Sequence, residues 1–273
     1  MKKNVIIAVA LMIIIALFGF DIYTNYKQLQ CRNEIMTSDK IDEDTDNFLI
    51  GWFSDMYYGD NFNIDDVHKL VTKMNDYNPD MIIFTGDLLE KESLSSDEET
   101  AIIEELSSMK PKYGKFAVLG DNDLILRRAQ TILSESGFEI IDNRNKVIAI
   151  DMNSKINLIG LGNMINGTVD INTAFYGINS EYFTIVASHC PDTYQDLKDY
   201  SFDLMLSGHS LGGKFRIPVI SWLLANEGSK SFYHGKITDI SKILDVTNGA
   251  GTPGSIYRFL ADPEIVFYSL RMN

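Results

Sequence analysis

An α/β fold built on two sheets is what the order of elements predicts, and two observations carry it. From Phe48 to Ser136, short apolar runs alternate with amphipathic stretches, strand then helix, three times over. Beyond Val147 strand-like runs dominate, with only brief helical interruptions. Alternation of this kind implies crossovers and a parallel sheet, while the second half implies an antiparallel or mixed sheet packed on the first.

The first strand is Phe48 to Phe53, short, apolar and aromatic. A helix follows from Ile64 to Tyr77, with Ile64, Val67, Leu70, Val71 and Met74 on one face and Asn63 or Asp65 as its cap. Asp80 to Thr85 is the second strand. Ser95-Ser96-Asp97-Glu98-Glu99 opens the next helix with acidic residues where the macrodipole favours them, and it stops before Pro111. Lys115 to Leu119 is the third strand, and a helix from about Leu126 to Ser136 closes at Gly137. The later strands are Val147 to Asp151, Ile156 to Leu161, Tyr182 to Ala187, Asp203 to Leu206, Lys236 to Ile240, Ile243 to Val246 and Ile265 to Leu270. Brief helices are expected near Ile171 to Tyr176 and Pro191 to Lys198.

The chain has 273 residues, 45% of them apolar, enough to bury a full core in one domain. Its net charge of −14 argues against a nucleic-acid surface, which needs clustered Lys and Arg. Phosphate-containing small substrates stay open, because a bound divalent cation reverses the local sign.

The amino terminus is of a different kind. Met1-Lys2-Lys3-Asn4 precedes an uninterrupted apolar run, Val5 to Phe20, ended by Asp21. At about 1.5 Å per residue the run covers roughly 24 Å, a little short of an average hydrocarbon core. Lys2 and Lys3 can snorkel at one end, and Tyr23 and Tyr26 suit the opposite interface. A cleaved signal peptide is the rival reading, but no small-x-small site follows the run. The expectation is a single-pass cell-membrane protein with a short cytoplasmic end and an extracytoplasmic domain. Its divisions are residues 1–22 as cytoplasmic end and anchor, 23–46 as a juxtamembrane linker without chemistry, and 47–273 as the domain. Two cysteines, Cys31 and Cys190, make no disulfide framework.

Five strand-like runs stop at polar corners: Ser54-Asp55, Gly86-Asp87, Gly120-Asp121-Asn122-Asp123, Ser188-His189 and Gly208-His209. The carboxyl ends of strands are where α/β folds bind ligands. A lone histidine or aspartate at such a place is more often a structural or capping residue. The set of Asp55, Asp87, Asp121, His189 and His209, each just past an apolar run, instead reads as a metal site assembled from separate loops. Imidazole with carboxylate suits Zn, Mn or Fe better than Ca. His68 and His234 read as structural, and Asp123 as a support behind the ligands or a helix cap.

In these motifs the sequence resembles the calcineurin-like metallophosphoesterases, and more closely their membrane-anchored single-domain branch. That family carries Asp-x-His, Gly-Asp, Gly-Asn-His-Asp/Glu, a lone His often followed by x-Pro-Asp, and Gly-His-x-His-Gly-Gly-Gln. The same order stands here as Asp55-Met56-Tyr57, Gly86-Asp87, Gly120-Asp121-Asn122-Asp123, His189-Cys190-Pro191-Asp192 and Gly208-His209-Ser210-Leu211-Gly212-Gly213-Lys214. The resemblance runs from about Asn47 to the end. It implies a four-layer αββα sandwich of two mixed sheets, preceded here by one transmembrane helix, and hydrolysis of phosphoester bonds in a small molecule or lipid head group.

It also implies which positions have changed. The family's first metal position falls on Asp55, Tyr57, Asp87 and Leu211. Leucine cannot ligate, and tyrosine ligates only as phenolate against a pKa of roughly 10. The second position falls on Asp87, Asp121, His189 and His209, all competent donors for one divalent ion, Mn, Zn or Fe. The family's acid or phosphate-orienting histidine falls on Asn122, which donates a hydrogen bond but shuttles no proton. Lys214, Arg216 and Arg258 are the basic residues expected to face a phosphate. The resemblance thus implies a phosphoesterase working with one metal, or else a weak or inactive pseudoenzyme serving as a binding or scaffold domain.

Overall fold

The computed structural model describes residues 28–216, 225–239, 242–254 and 257–273, together with Val9, Met12 and Gly19. Its strands in chain order are β1 (Gln30–Ser38), β2 (Leu49–Phe53), β3 (Met81–Phe84), β4 (Lys115–Ala117), β5 (Phe138–Ile140), β6 (Arg144–Ala149), β7 (Lys155–Gly160), β8 (Phe183–Ser188), β9 (Leu204–Ser207), β10 (Gly235–Asp239), β11 (Lys242–Val246) and β12 (Glu264–Met272). They form two mixed sheets, in the orders β1-β12-β2-β3-β4-β5 and β10-β11-β9-β8-β7-β6. Strands β2 to β5 run parallel, and so do β7, β8, β9 and β11. The helices are α1 (Ile64–Tyr77), α2 (Ser96–Ser108), α3 (Asp121–Ile125), α4 (Arg128–Glu135) and α5 (Ile171–Ala174).

Alternate residues of each strand face opposite sides of a sheet, and this sorts the core into layers. Between the sheets, Trp52, Ile83 and Tyr268 meet Leu158, Phe183, Ile185 and Leu204. On the outer face of the first sheet, Phe53, Ile82, Phe84 and Phe267 take Leu70, Met74, Ile102, Leu106 and Ile132 from α1, α2 and α4. On the outer face of the second, Ile159, Val186 and Met205 pack with Ala174, Phe175 and Tyr194. The order of layers is therefore helix, sheet, sheet, helix.

Local chemistry sets the helix limits. Asn63 caps α1 in a capping box with Asp66, Val67, Leu70, Val71 and Met74 are buried, and Asn78 ends the helix in the left-handed region. Ser95 and Glu98 make the same box for α2. Lys115 turns its ammonium back between two helix ends, donating to Leu106 O and Ser136 O. A cation there complements the negative ends of α2 and α4 together.

One expectation is corrected. The linker expected at 23–46 is, over its described part, integral to the domain: Gln30–Ser38 pairs in parallel with β12 along its whole length, and Ile41 and Thr45 are buried. The stretch is polar because an edge strand needs few apolar side chains, and of its nine residues only Met36 is buried. The helix expected from about Leu126 to Ser136 is α4, Arg128–Glu135, and a separate short α3, Asp121–Ile125, precedes it immediately after a strand corner. The apolar run Val5 to Phe20 lies outside the described residues save for Val9, Met12 and Gly19. No helix among the described residues is long and apolar enough to cross a membrane.

Candidate metal centre

Asp55, Asp87 and Asp121 leave the carboxyl ends of β2, β3 and β4, while His189 and His209 leave those of β8 and β9. These parallel strands of the two sheets deliver all five side chains to one place. The backbone there is strained: Asp55, Tyr57, Asp87, His209 and Leu211 all have positive φ, between 48° and 67°. Glycine is needed beside them. A side chain at Gly86 (φ 96°) would collide with the backbone of Gly120 and the ring of His189, and one at Gly120 with the Asp87 carboxylate.

Both imidazoles are fixed by their far nitrogens. His189 Nδ1 lies 2.6 Å from Thr85 O, and His209 Nε2 lies 2.6 Å from Glu227 O. A carbonyl can only accept, so these nitrogens carry the protons and turn His189 Nε2 and His209 Nδ1 inward. The two inward nitrogens are 3.2 Å apart. Asp87 Oδ2 is 3.4 Å from the first, and Asp121 Oδ2 is 3.1 Å from the second. Separations of this size are those of neighbouring donors around an ion bound at about 2.0–2.1 Å. These contacts run in a line from Asp87 through His189 and His209 to Asp121, and the candidate ligand groups along it are Asp55-Asp87-His189 and Asp121-Cys190-His209.

The electrostatics call for a cation. Asp55, Asp87 and His189 are fully buried, and burial alone raises a carboxyl pKa. Asp55 is pushed up by burial and by the neighbouring Asp87. For Asp87, burial is outweighed by the His189 charge and by hydrogen bonds from His189 and Tyr57, and its pKa falls. Asp121 likewise falls against its burial, through His209 and His189. His189 is carried well above the usual imidazole value by Asp87 and Asp55, in spite of its burial. In these surroundings a proton on His189 supplies the positive charge that a divalent ion would supply instead.

The remaining expected residues divide. Asp55 accepts His209 N at 2.9 Å and groups with Asp87 and His189 as a set of candidate ligands. Tyr57 donates its hydroxyl to Asp87 Oδ2 at 2.6 Å, and burial together with Asp87 raises its pKa far up, away from phenolate. Leu211 is buried and offers no donor atom. Asn122 binds Asp87 Oδ1 through its backbone N at 2.8 Å, while its side chain donates to Leu89 O at 3.3 Å. Asp123 is a support: its carboxylate accepts the amides of Asp87, Leu88 and Gly120 at 2.7 to 2.9 Å. Lys214 donates to Pro253 O, and Arg216 to Gly212 O and Asn248 Oδ1. Arg258 is 3% exposed and donates to Thr252 Oγ1 and to the carbonyls of Asn248, Gly251 and Ala261, so it holds a loop behind the site.

Three further residues stand at the centre without a role in the sequence expectation. Cys190 Sγ lies near Asp121 and His209, but burial pushes the thiol up to about 12, away from thiolate. Asp192 accepts the amides of Lys230, Ser231 and Phe232, which pins the chain just after the Glu227 carbonyl that orients His209. Asn163, buried, accepts the amides of Ile165 and Asn166 with Oδ1, which fixes its NH₂ toward Asp121 Oδ1 at 2.6 Å. That bond leaves Asp121 Oδ2 for His209 and the ion. The available signal was the corner rule itself, since Gly162-Asn163 follows β7. Asn163→Ala is expected to weaken divalent-ion affinity by roughly 10–100-fold. Competition with a chromophoric chelator measures it, and an unchanged affinity would refute the assignment.

The model of the family described as calcineurin-like phosphoesterase matches residues 48–213, more than half of the chain. The chain is 26% identical to YkuE of Bacillus subtilis (strain 168), a metallophosphoesterase, over 93% of this chain and 90% of that protein. It is also 26% identical to the UDP-2,3-diacylglucosamine pyrophosphatase LpxG of Chlamydia muridarum, over 72% of this chain and 75% of that protein. The crystal structure of TT1561 of Thermus thermophilus matches at a TM-score of 0.44 and 14% identity, covering 74% of this chain and 89% of that one. From corner residues to chain-wide likeness, this protein belongs to the calcineurin-like metallophosphoesterase family.

Proposed function

We propose that the chain is a membrane-anchored phosphoesterase of low turnover that works with one divalent ion, Mn, Zn or Fe, held by Asp87, Asp121, His189 and His209. The observation that carries this is the line of contacts joining those four donors while the Tyr57 hydroxyl closes on Asp87 and Leu211 leaves its place without a ligand atom. A divalent ion held there supplies Lewis acidity toward a phosphoryl oxygen. The protein's own groups do the rest. Asp87 and Asp121 set the charge, and Asn163 and the two carbonyls hold the ligands in place. The Asn122 amide can donate a hydrogen bond to a phosphoryl oxygen but gives no proton to a leaving group, which removes roughly 10²–10⁴ in rate relative to a positioned acid. The run Val5 to Phe20 supports an anchor, with Lys2 and Lys3 on the cytoplasmic side and the domain outside. The name of the Chlamydia relative, a pyrophosphatase acting on a diacylated sugar nucleotide, supports a phosphoester or phosphoanhydride in a lipid head group. The net charge of −14 speaks against nucleic acid.

A second reading, a binding domain without turnover, is favoured by the same substitutions at Tyr57, Asn122 and Leu211. One experiment separates the two. Purified full chain in detergent, loaded with Mn, Zn or Fe, is assayed for metal atoms per chain and for hydrolysis of a generic phosphodiester beside Asp87→Ala. One ion per chain with hydrolysis above the variant is the expected result. One ion with no excess turnover supports the binding domain, and no ion refutes the metal site.

A further inference from the structure

The register of β1 fixes where the chain enters the domain. Gln30 pairs with Glu264 at the start of β12, and Val266 two residues on pairs with Trp52, near the carboxyl end of β2. Because β12 runs antiparallel to β2, the start of β1 lies at the same end of the sandwich as Ser54 and Asp55. Two further contacts agree: Gln30 N donates to Pro263 O, and Glu264 N to Gly249 O beside the Asp55 corner. The apolar run ends at Phe20, and Leu29 is already packed on the core of the first sheet.

We propose that the end of the domain bearing Asp55, Asp87, Asp121, His189 and His209 faces the bilayer and takes a phosphorylated lipid head group from that surface. The inference rests on the anchor reading given above. Lengths decide it. From Asp21 to Lys27 the chain reaches at most about 25 Å. Strand β1, nine residues long, covers roughly 30 Å. To put the far end of the sandwich against the bilayer, that short stretch would have to run back along all of β1 and still reach the membrane. With the site end toward the bilayer, it has only to reach Leu29 at the start of β1. The same end exposes Tyr257, Leu260 and Met164, of the amphipathic and apolar kinds that settle at a membrane interface. Lys214, on that rim, suits an anionic head group. The opposite end carries Met152, 88% exposed, in the turn between β6 and β7.

The test places a fluorescent donor at either end of the full chain reconstituted in nanodiscs containing an acceptor-labelled lipid. Single cysteines are introduced as Leu260→Cys and, separately, Met152→Cys, in a Cys31→Ser background with Cys190 left buried. Energy transfer several-fold more efficient from position 260 than from 152 is expected. Equal transfer, or greater transfer from 152, overturns the orientation while leaving the anchor standing. Chain that does not co-purify with the nanodiscs at all overturns the anchor reading itself, and the orientation with it.

Discussion

Histidine at positions 57, 122 and 211 together should raise hydrolysis of a generic phosphodiester by roughly 10²–10⁴-fold. The reasons are separable. Tyr57 now donates a hydrogen bond to Asp87, and its buried hydroxyl resists becoming a ligand. An imidazole there offers a neutral lone pair, and histidine tolerates the left-handed backbone better than most residues. Leu211 stands buried two residues beyond His209, where a second imidazole completes a ligand set with Asp55 and Asp87. Asn122 already sits with its backbone on Asp87, so a histidine at that point is placed to protonate a leaving oxygen. Neither Tyr57→His nor Leu211→His alone restores a full set, so the gain should appear mostly in the triple variant. Metal analysis should rise from one ion per chain to two. A folded triple variant that still holds one ion and gains no rate would refute this account of what the site lacks.

Arg32→Ala should destabilise the fold by roughly 3–5 kcal/mol, the cost of leaving buried charges unpaired. Arg32 on β1 reaches the fully buried Asp245 on β11 at 2.8 Å and Glu264 on β12 at 3.1 Å. Tyr268 donates to the same Asp245 carboxylate at 2.5 Å, and Thr247 and Asn248 N donate to Glu264. One guanidinium therefore balances two buried carboxylates where the edges of the two sheets meet, and it also pairs with the half-buried Glu34 at 2.7 Å. Denaturant unfolding measures the loss. The paired change Arg32→Met with Asp245→Leu should recover only part of it, because the Asp245 charge is gone but Glu264 stays buried without its cation. A drop below about 1 kcal/mol in Arg32→Ala would mean that water reaches the network.

The helices and most strands were legible because their signals are local. Asn63 and Asp66 mark the start of α1, and Val67, Leu70, Val71 and Met74 draw its buried stripe. The four candidate donors were legible because each follows an apolar strand, and a family resemblance gave them an order. β1 was not legible, since Gln-Cys-Arg-Asn-Glu-Ile-Met-Thr-Ser is polar and its partner lies more than two hundred residues away in sequence. Arg258 shows the opposite error. A basic residue near a phosphate motif suggests a ligand contact, but only folding reveals the ring of carbonyls that uses it. Asn163 was hidden because an amide carries no charge to draw attention, although the geometry gives it a carboxylate to hold.

The left-handed corners have a thermodynamic consequence. Asp55, Tyr57, Asp87, His209 and Leu211, in disfavoured conformations around buried carboxylates, form the part of the chain with most to gain from relaxing. An ion that grips the native arrangement and not the unfolded chain opposes that release, by about 2.7 kcal/mol at a hundredfold excess over its dissociation constant. Chelation should therefore lower the melting temperature, and amide exchange should quicken first around Asp55, Asp87 and His209 while the β-sheet interior stays closed.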